Sequence, residues 1–248
     1  MTDLLRITDL RKHYGALRVT DGVTLKLAPG SIHAVIGPNG AGKTTLIHQI
    51  SGTVRPDAGS IHLADHDITT LPPHRRARLG LARSFQITSV LPEFSVLENV
   101  ALAVLGARGS AFGFLRPLAA EKRLNDAAST VLARVGLAAR PASLAGALSH
   151  GEKRQLELAL ALAAEPKVML LDEPLAGAGP EEAERLIALL ATLRGHCGIL
   201  LVEHDMDAVF QLADEISVLS QGRVIANGTP AEIRADPAVR AAYLGEDF

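Results

Sequence analysis

The sequence predicts an α/β fold: a parallel sheet core, an antiparallel β layer beside it and an inserted helical subdomain. Three observations carry this. Residues 31–36, 168–171 and 199–202 are short apolar runs, of the kind buried on both faces in a parallel sheet. Residues 181–193, between the second and third runs, place Leu186, Leu189, Leu190 and Leu193 at helical spacing. The first run ends in a glycine-rich loop, 37–42, followed by a helix-like segment at 43–50. Strands alternating with helices read as a parallel arrangement.

The remaining elements follow in chain order. Residues 4–10 and 23–27 alternate as half-buried strands, and Pro29-Gly30 turns the chain before Ser31. These form the expected antiparallel layer. Residues from about 96 to 162 are Ala/Leu-rich and helical in pattern, giving a helical subdomain of about 90–162 within one domain, 1–248. Residues 215–219 and 223–226 flank Ser220-Gln221-Gly222 as a hairpin, and a tail of about 228–248 is short helix and coil.

Composition narrows the classes. The chain has 248 residues, 48% hydrophobic and 21% charged, too apolar for a disordered chain and long enough to bury a core without staples. Lys plus Arg is 25 against 27 Asp plus Glu, a net charge of −2, which argues against a dedicated nucleic-acid binder. The lone Cys197 suits a reducing compartment. A mean hydropathy of +0.20 invites a search for a membrane span. The apolar runs are strand-length, far short of the roughly 20 residues a spanning helix needs, and residues 1–6 lack the apolar stretch of a signal peptide. A membrane role is expected to run through a partner.

Gly37-Pro38-Asn39-Gly40-Ala41-Gly42-Lys43-Thr44 matches G-x-x-x-x-G-K-[ST], the P-loop pattern. Glycines let successive N–H groups curl inward onto phosphate oxygens, and the following helix adds its N-terminal dipole. Lys43 then reaches the β- and γ-phosphates, Thr44 is a ligand for Mg²⁺, and Thr45 belongs to the same first turn. Asp172 closes an apolar run and is placed to hold Mg²⁺ through water. Glu173 is placed to orient or deprotonate an attacking water.

Leu148-Ser149-His150-Gly151-Glu152, ahead of Lys153-Arg154-Gln155, resembles the LSGGQ signature of ATP-binding cassette (ABC) proteins, with His150 and Glu152 departing from the usual Gly and Gln. The resemblance covers essentially the whole chain and implies the ABC ATPase fold, with ATP and Mg²⁺ as cofactors. It implies roles for Ser149, Gly151 and Glu152 on the ATP of a second subunit, for Tyr14 as the ring stacking on adenine, for Gln86 at Mg²⁺ or the water, and for His204 as the switch histidine at the γ-phosphate. The loop 175–180, Leu-Ala-Gly-Ala-Gly-Pro, lacks the Asp that the family commonly carries near Gly179. Residues 83–86, 91–100, 227–234 and 242–246 resemble the hydrophobic or branched-chain amino-acid importer branch, with the urea-importer branch close to it. The expected partners are transmembrane permease subunits, a second ATPase subunit (a copy or a sister chain) and a periplasmic solute-binding protein, with no nucleic acid. The expected location is the cytoplasmic face of the inner membrane.

Other classes compete. A soluble ABC protein of DNA repair or translation usually carries coiled coils, paired cassettes or basic arms. A P-loop kinase would lack the signature and the switch histidine. Residues 110–118, with Phe112, Phe114 and Leu115, read either as a groove for a permease helix or as core packing. His62, His66, His74 and His196 show no ligand spacing and read as surface or turn residues.

Overall fold

The computed structural model describes residues 3–83, 90–107 and 121–239. The chain divides into two compact units, one of residues 1–81, 167–176 and 190–248, the other of 82–166 and 177–189.

In the first unit, β1 (Leu5–Tyr14), β2 (Leu17–Leu27), β4 (Ala58–Leu63) and β5 (His66–Asp67) form an antiparallel sheet of order β2-β1-β4-β5. A second sheet has the order β10-β9-β3-β8-β7-β6, built from β3 (Ile32–Ile36), β6 (Leu81–Arg83), β7 (Val168–Asp172), β8 (Gly198–Val202), β9 (Glu215–Ser220) and β10 (Arg223–Gly228). β3 runs parallel to β8 and β9, and β7 parallel to β8, while β9 and β10 form an antiparallel hairpin. Every residue of β3, β7 and β8 is buried, which is why those segments read as unbroken apolar runs.

Helix α1 (Lys43–Ser51) lies between the sheets, where Leu46, Ile47 and Ile50 join Leu5, Ile7, Leu25, Val35, Leu170 and Leu200 in one core. On the opposite face of the parallel sheet, Met206 and Val209 of α7 (Met206–Leu212) and Ile233 of α8 (Pro230–Ala235) pack on Ala34, Ile36, Ile216 and Val218. A short turn of helix, α9 (Pro237–Val239), adds Val239. The polar α2 (Pro73–Arg78) buries only Arg76.

The second unit is helical. α3 (Val96–Ala107) packs against α4 (Lys122–Arg134) and α5 (His150–Leu162), and Val100, Val104, Ala128, Leu132 and Ala159 of these helices are buried. α6 (Pro180–Leu193) begins in this unit.

Three features differ from the sequence reading. β1 and β2 run on to a two-residue turn, because their outer halves are held by Lys12–Asp57 and Arg11–Asp21 ion pairs rather than by apolar burial. His62 is a half-buried residue of β4, with its Nδ1 in a dry setting, not a surface or turn residue. The most buried histidine is His33, inside the first apolar run. Its Nδ1 lies 2.8 Å from the Lys26 carbonyl and its Nε2 2.8 Å from the Ser217 hydroxyl.

Candidate nucleotide site

β3, β8 and β7 are neighbours in the sheet, and the glycine loop, the Asp172-Glu173 pair and His204 lie at or just past their carboxyl ends. That edge is where parallel α/β sheets take ligands. The glycine loop follows β3. A Cβ on Gly37 would lie 2.0 Å from the Leu219 carbonyl oxygen, and one on Gly42, at φ 105°, would lie 2.3 Å from that of Val19. Only glycine lets the loop curl this tightly against its surroundings. The β9–β10 turn braces it, since Gly222 N–H donates to the Ala41 carbonyl at 2.9 Å.

Gly42 caps α1 in the left-handed conformation and no side chain covers the helix end. The first-turn amides therefore lack a side-chain acceptor, the condition for anion binding. Asn39, Gly40 and Thr44 are exposed, Pro38 and Thr45 half-buried, and Ala41 buried. Lys43 is only 7% exposed, and its Nζ donates to the carbonyls of Gly37 at 2.6 Å and Pro38 at 3.1 Å. Burial pulls the Lys43 ammonium below the usual lysine range, opposed by the nearby Glu173 and Asp172 carboxylates. The cation is thus held inside the loop by two backbone carbonyls.

Asp172 ends β7 and is 8% exposed. Glu173 follows in the left-handed region at φ 50°, uncommon for a side-chain-bearing residue, with its N–H donating to the Val202 carbonyl at 2.8 Å. Such strain persists where neighbouring bonds over-determine the backbone, and it clusters at functional sites. His204, just past β8, has an exposed ring. Oxygen donors at Thr44 and Asp172, with a carboxylate field already felt by Lys43, fit a hard cation such as Mg²⁺. Tyr14 ends β1 with half its surface exposed, and Lys12 Nζ lies 5.5 Å from its ring centroid.

In the second unit, Ser149 is the N-cap of α5 in a complete capping box. Glu152 N–H donates to Ser149 Oγ, and Glu152 Oε2 accepts from Ser149 N and Oγ, each at 2.9 Å. Arg140 donates to both Glu152 oxygens, at 2.7 and 2.8 Å. The bond from Ser149 N–H, followed by its hydroxyl and Arg140, holds the Glu152 carboxyl below the usual range against the cost of burial. The Glu in place of the family's Gln therefore serves the helix start and pairs with Arg140, while Ser149 and His150 are exposed and Gly151 is half-buried. Gly151 sits against Glu182: an added Cβ would lie 3.0 Å from its carboxyl carbon. Glu182 in turn meets Arg154 at 3.3 Å.

Gln86 lies outside the described residues, as do Phe112, Phe114 and Leu115. Sequence reasoning passed over three groups that hold the site's elements: Glu203, Arg76 and the Arg154–Glu182 pair. Glu203 and Arg76 bond to backbone distant in sequence, and local pattern gives no sign of such partners.

Residues 20–176 match the family "ABC transporter", and residues 223–248 match "Branched-chain amino acid ATP-binding cassette transporter". The chain is 40% identical, over 98% of both chains, to the high-affinity branched-chain amino acid transport ATP-binding protein LivG of Escherichia coli K12. It is 39% identical, over 98% of both, to the lipopolysaccharide export system ATP-binding protein LptB of the same organism. Among solved structures it resembles the ADP conformation of MJ1267, an ATP-binding cassette of an ABC transporter, with a TM-score of 0.86 at 30% identity, covering 99% of this chain and all of that one.

Proposed function

The chain belongs to the ABC transporter family as an ATP-binding ATPase subunit, and on that premise we propose that it powers the uptake of branched-chain or other hydrophobic amino acids. Permease subunits in the membrane would carry the solute and a periplasmic binding protein would deliver it. Among the described residues no helix is long and apolar enough to cross a membrane, so attachment at the cytoplasmic face would run through the permease.

The match over residues 223–248 carries the cargo reading. The match over 20–176 does not distinguish cargo, since an export-system relative reaches 39% identity. In the proposed cycle Tyr14 stacks on adenine, and the backbone N–H groups from Asn39 to Thr45, with Lys43, hold the triphosphate. Thr44, Asp172 and Gln86 would hold Mg²⁺, which draws charge from the β- and γ-phosphate oxygens when bound. Glu173 orients the attacking water and takes up its proton. His204 contacts the γ-phosphate. Ser149 and the Gly151 amide of a second subunit close on the same phosphate from α5's N-terminus.

Uptake of labelled leucine and of urea, in cells lacking the chain and cells restored with wild type or Lys43→Ala, tests the reading. Leucine uptake should vanish with the chain and return with wild type alone. Unchanged leucine uptake together with lost urea uptake would move the cargo to the urea branch.

A further inference from the structure

Glu203 has no exposed surface, yet it is a carboxylate between an apolar strand and an exposed histidine. Its Oε1 accepts the Leu175 N–H at 2.7 Å, and its Oε2 accepts the His204 N–H at 3.1 Å. Burial, the largest cause, raises the Glu203 carboxyl above the usual range, against the N–H bonds that favour its ionised form. The His204 ring Nδ1 lies 3.9 Å from Oε2. These partners are donors, and an ionised carboxylate meets them all without a proton of its own. A buried charge of this kind is costly unless it is paired or hydrogen-bonded.

The two ends of the contact are informative. Leu175 lies in the turn that Glu173 opens, closed by the Ala176 N–H donating to the Glu173 carbonyl at 3.1 Å. The Glu173 N–H is itself held by Val202, the residue before Glu203. Two consecutive residues at the end of β8 therefore clamp the turn that keeps Glu173 at φ 50°. The second of them also holds His204.

We propose that Glu203 is a positioning residue that fixes Glu173 and His204 relative to one another, so that the water-orienting carboxylate and the γ-phosphate contact move as one unit. This rests on the roles given above to Glu173 and His204. Glu203→Gln keeps shape and volume. Its amide can present oxygen to Leu175 or to His204, but turns an N–H₂ against the N–H of the other.

The test measures ATP hydrolysis and ATP binding by the full-length chain for wild type, Glu203→Gln, Glu203→Asp, His204→Ala and the Glu203→Gln/His204→Ala double variant. Glu203→Gln should lower kcat by about ten- to hundredfold while KM for ATP stays within about twofold, because the phosphate cradle is untouched. The double variant should fall by less than the product of the two single losses, because groups acting as a unit are not additive. Glu203→Asp retains the charge but is one methylene too short to span both N–H groups, and should show the same kcat-selective loss. It gives the reading if Glu203→Gln does not fold. Wild-type kcat in Glu203→Gln beside an impaired His204→Ala would overturn the proposal alone. So would an additive double variant, or a loss expressed in ATP binding. Wild-type hydrolysis in His204→Ala would overturn the switch role itself, and the His204 half of the proposal with it.

Discussion

Replacing Arg76 with methionine removes the buried cation that closes the C-terminal end of α1, beside the Ser51 and Thr53 hydroxyls that donate to the His48 carbonyl. The guanidinium is 2% exposed and donates to the carbonyls of Gln49 and Ile50 at 2.7 Å each, Leu71 at 2.8 Å and Thr69 at 3.0 Å. Gln49 and Ile50 belong to the last turn of α1, where a cation also opposes the helix dipole. Burial pulls the guanidinium down to about 10, so the ion is already costly to hold. Four acceptors losing a partner at about 1 kcal/mol each, plus about 1 kcal/mol of dipole interaction, are offset in part by removing that buried charge. The net loss should be about 3 kcal/mol, or a fall in Tm of roughly 6–12 °C for a chain of this size. Arg76→Lys keeps the charge but lacks the planar fork, and should fall between the two. Thermal unfolding measures both. ATP affinity at a temperature where the variant is folded should stay near wild type, because the cradle lies at the other end of α1. A Tm for Arg76→Met within about 2 °C of wild type would refute the reasoning.

Glu173→Gly should raise stability by about 1 kcal/mol by relieving the left-handed backbone, while abolishing the oriented water; a higher Tm with hydrolysis near zero is the expected pair, and a lower Tm would place the strain elsewhere. His33 should impose a pH dependence on stability. Burial, the largest cause, lowers its folded-state value below the ordinary 6.5, despite Glu215 and the Lys26 carbonyl. Below about 6.5 the unfolded chain therefore binds a proton that the folded one refuses, so stability should be full above that pH and fall as the pH drops beneath it. Urea unfolding at pH 5 and 7.5 should show this for wild type and a smaller dependence for His33→Gln.

What was legible in the sequence is what local pattern encodes. β3, β7 and β8 are buried on both faces and so read as continuous apolar runs. The glycine loop and the Asp172-Glu173 pair are contiguous, as is Ser149 ahead of α5. The outer halves of β1 and β2 were not legible, because charged pairs rather than apolar alternation hold them. α2, Pro-His-Arg-Arg-Ala-Arg, carries no apolar period and is fixed by the carbonyls Arg76 reaches. Glu203 reads as one more acid in Val-Glu-His-Asp, since its deciding partner, the Leu175 N–H, lies 28 residues away. The Glu152 departure is accounted for by Arg140, which donates to both of its carboxylate oxygens, since a Gln would close the Ser149 capping box as well.

The central claim is that two subunits close on ATP, each with Glu173 beside its own phosphates and Ser149 on its partner's. Size-exclusion of Glu173→Gln, alone and with Ser149→Arg, in ATP with Mg²⁺ and in ADP, tests it most directly. Glu173→Gln should bind ATP normally and hydrolyse it about 10²–10⁴-fold more slowly, the range of positioned general-base catalysis. It should run as a dimer in ATP and as a monomer in ADP. Adding Ser149→Arg should abolish the dimer while ATP stays bound, because the chain's own glycine loop is intact. The arrangement is repeated with a sister ATPase where one is co-expressed. A Glu173→Gln chain that is saturated with ATP and monomeric in both arrangements would contradict the account.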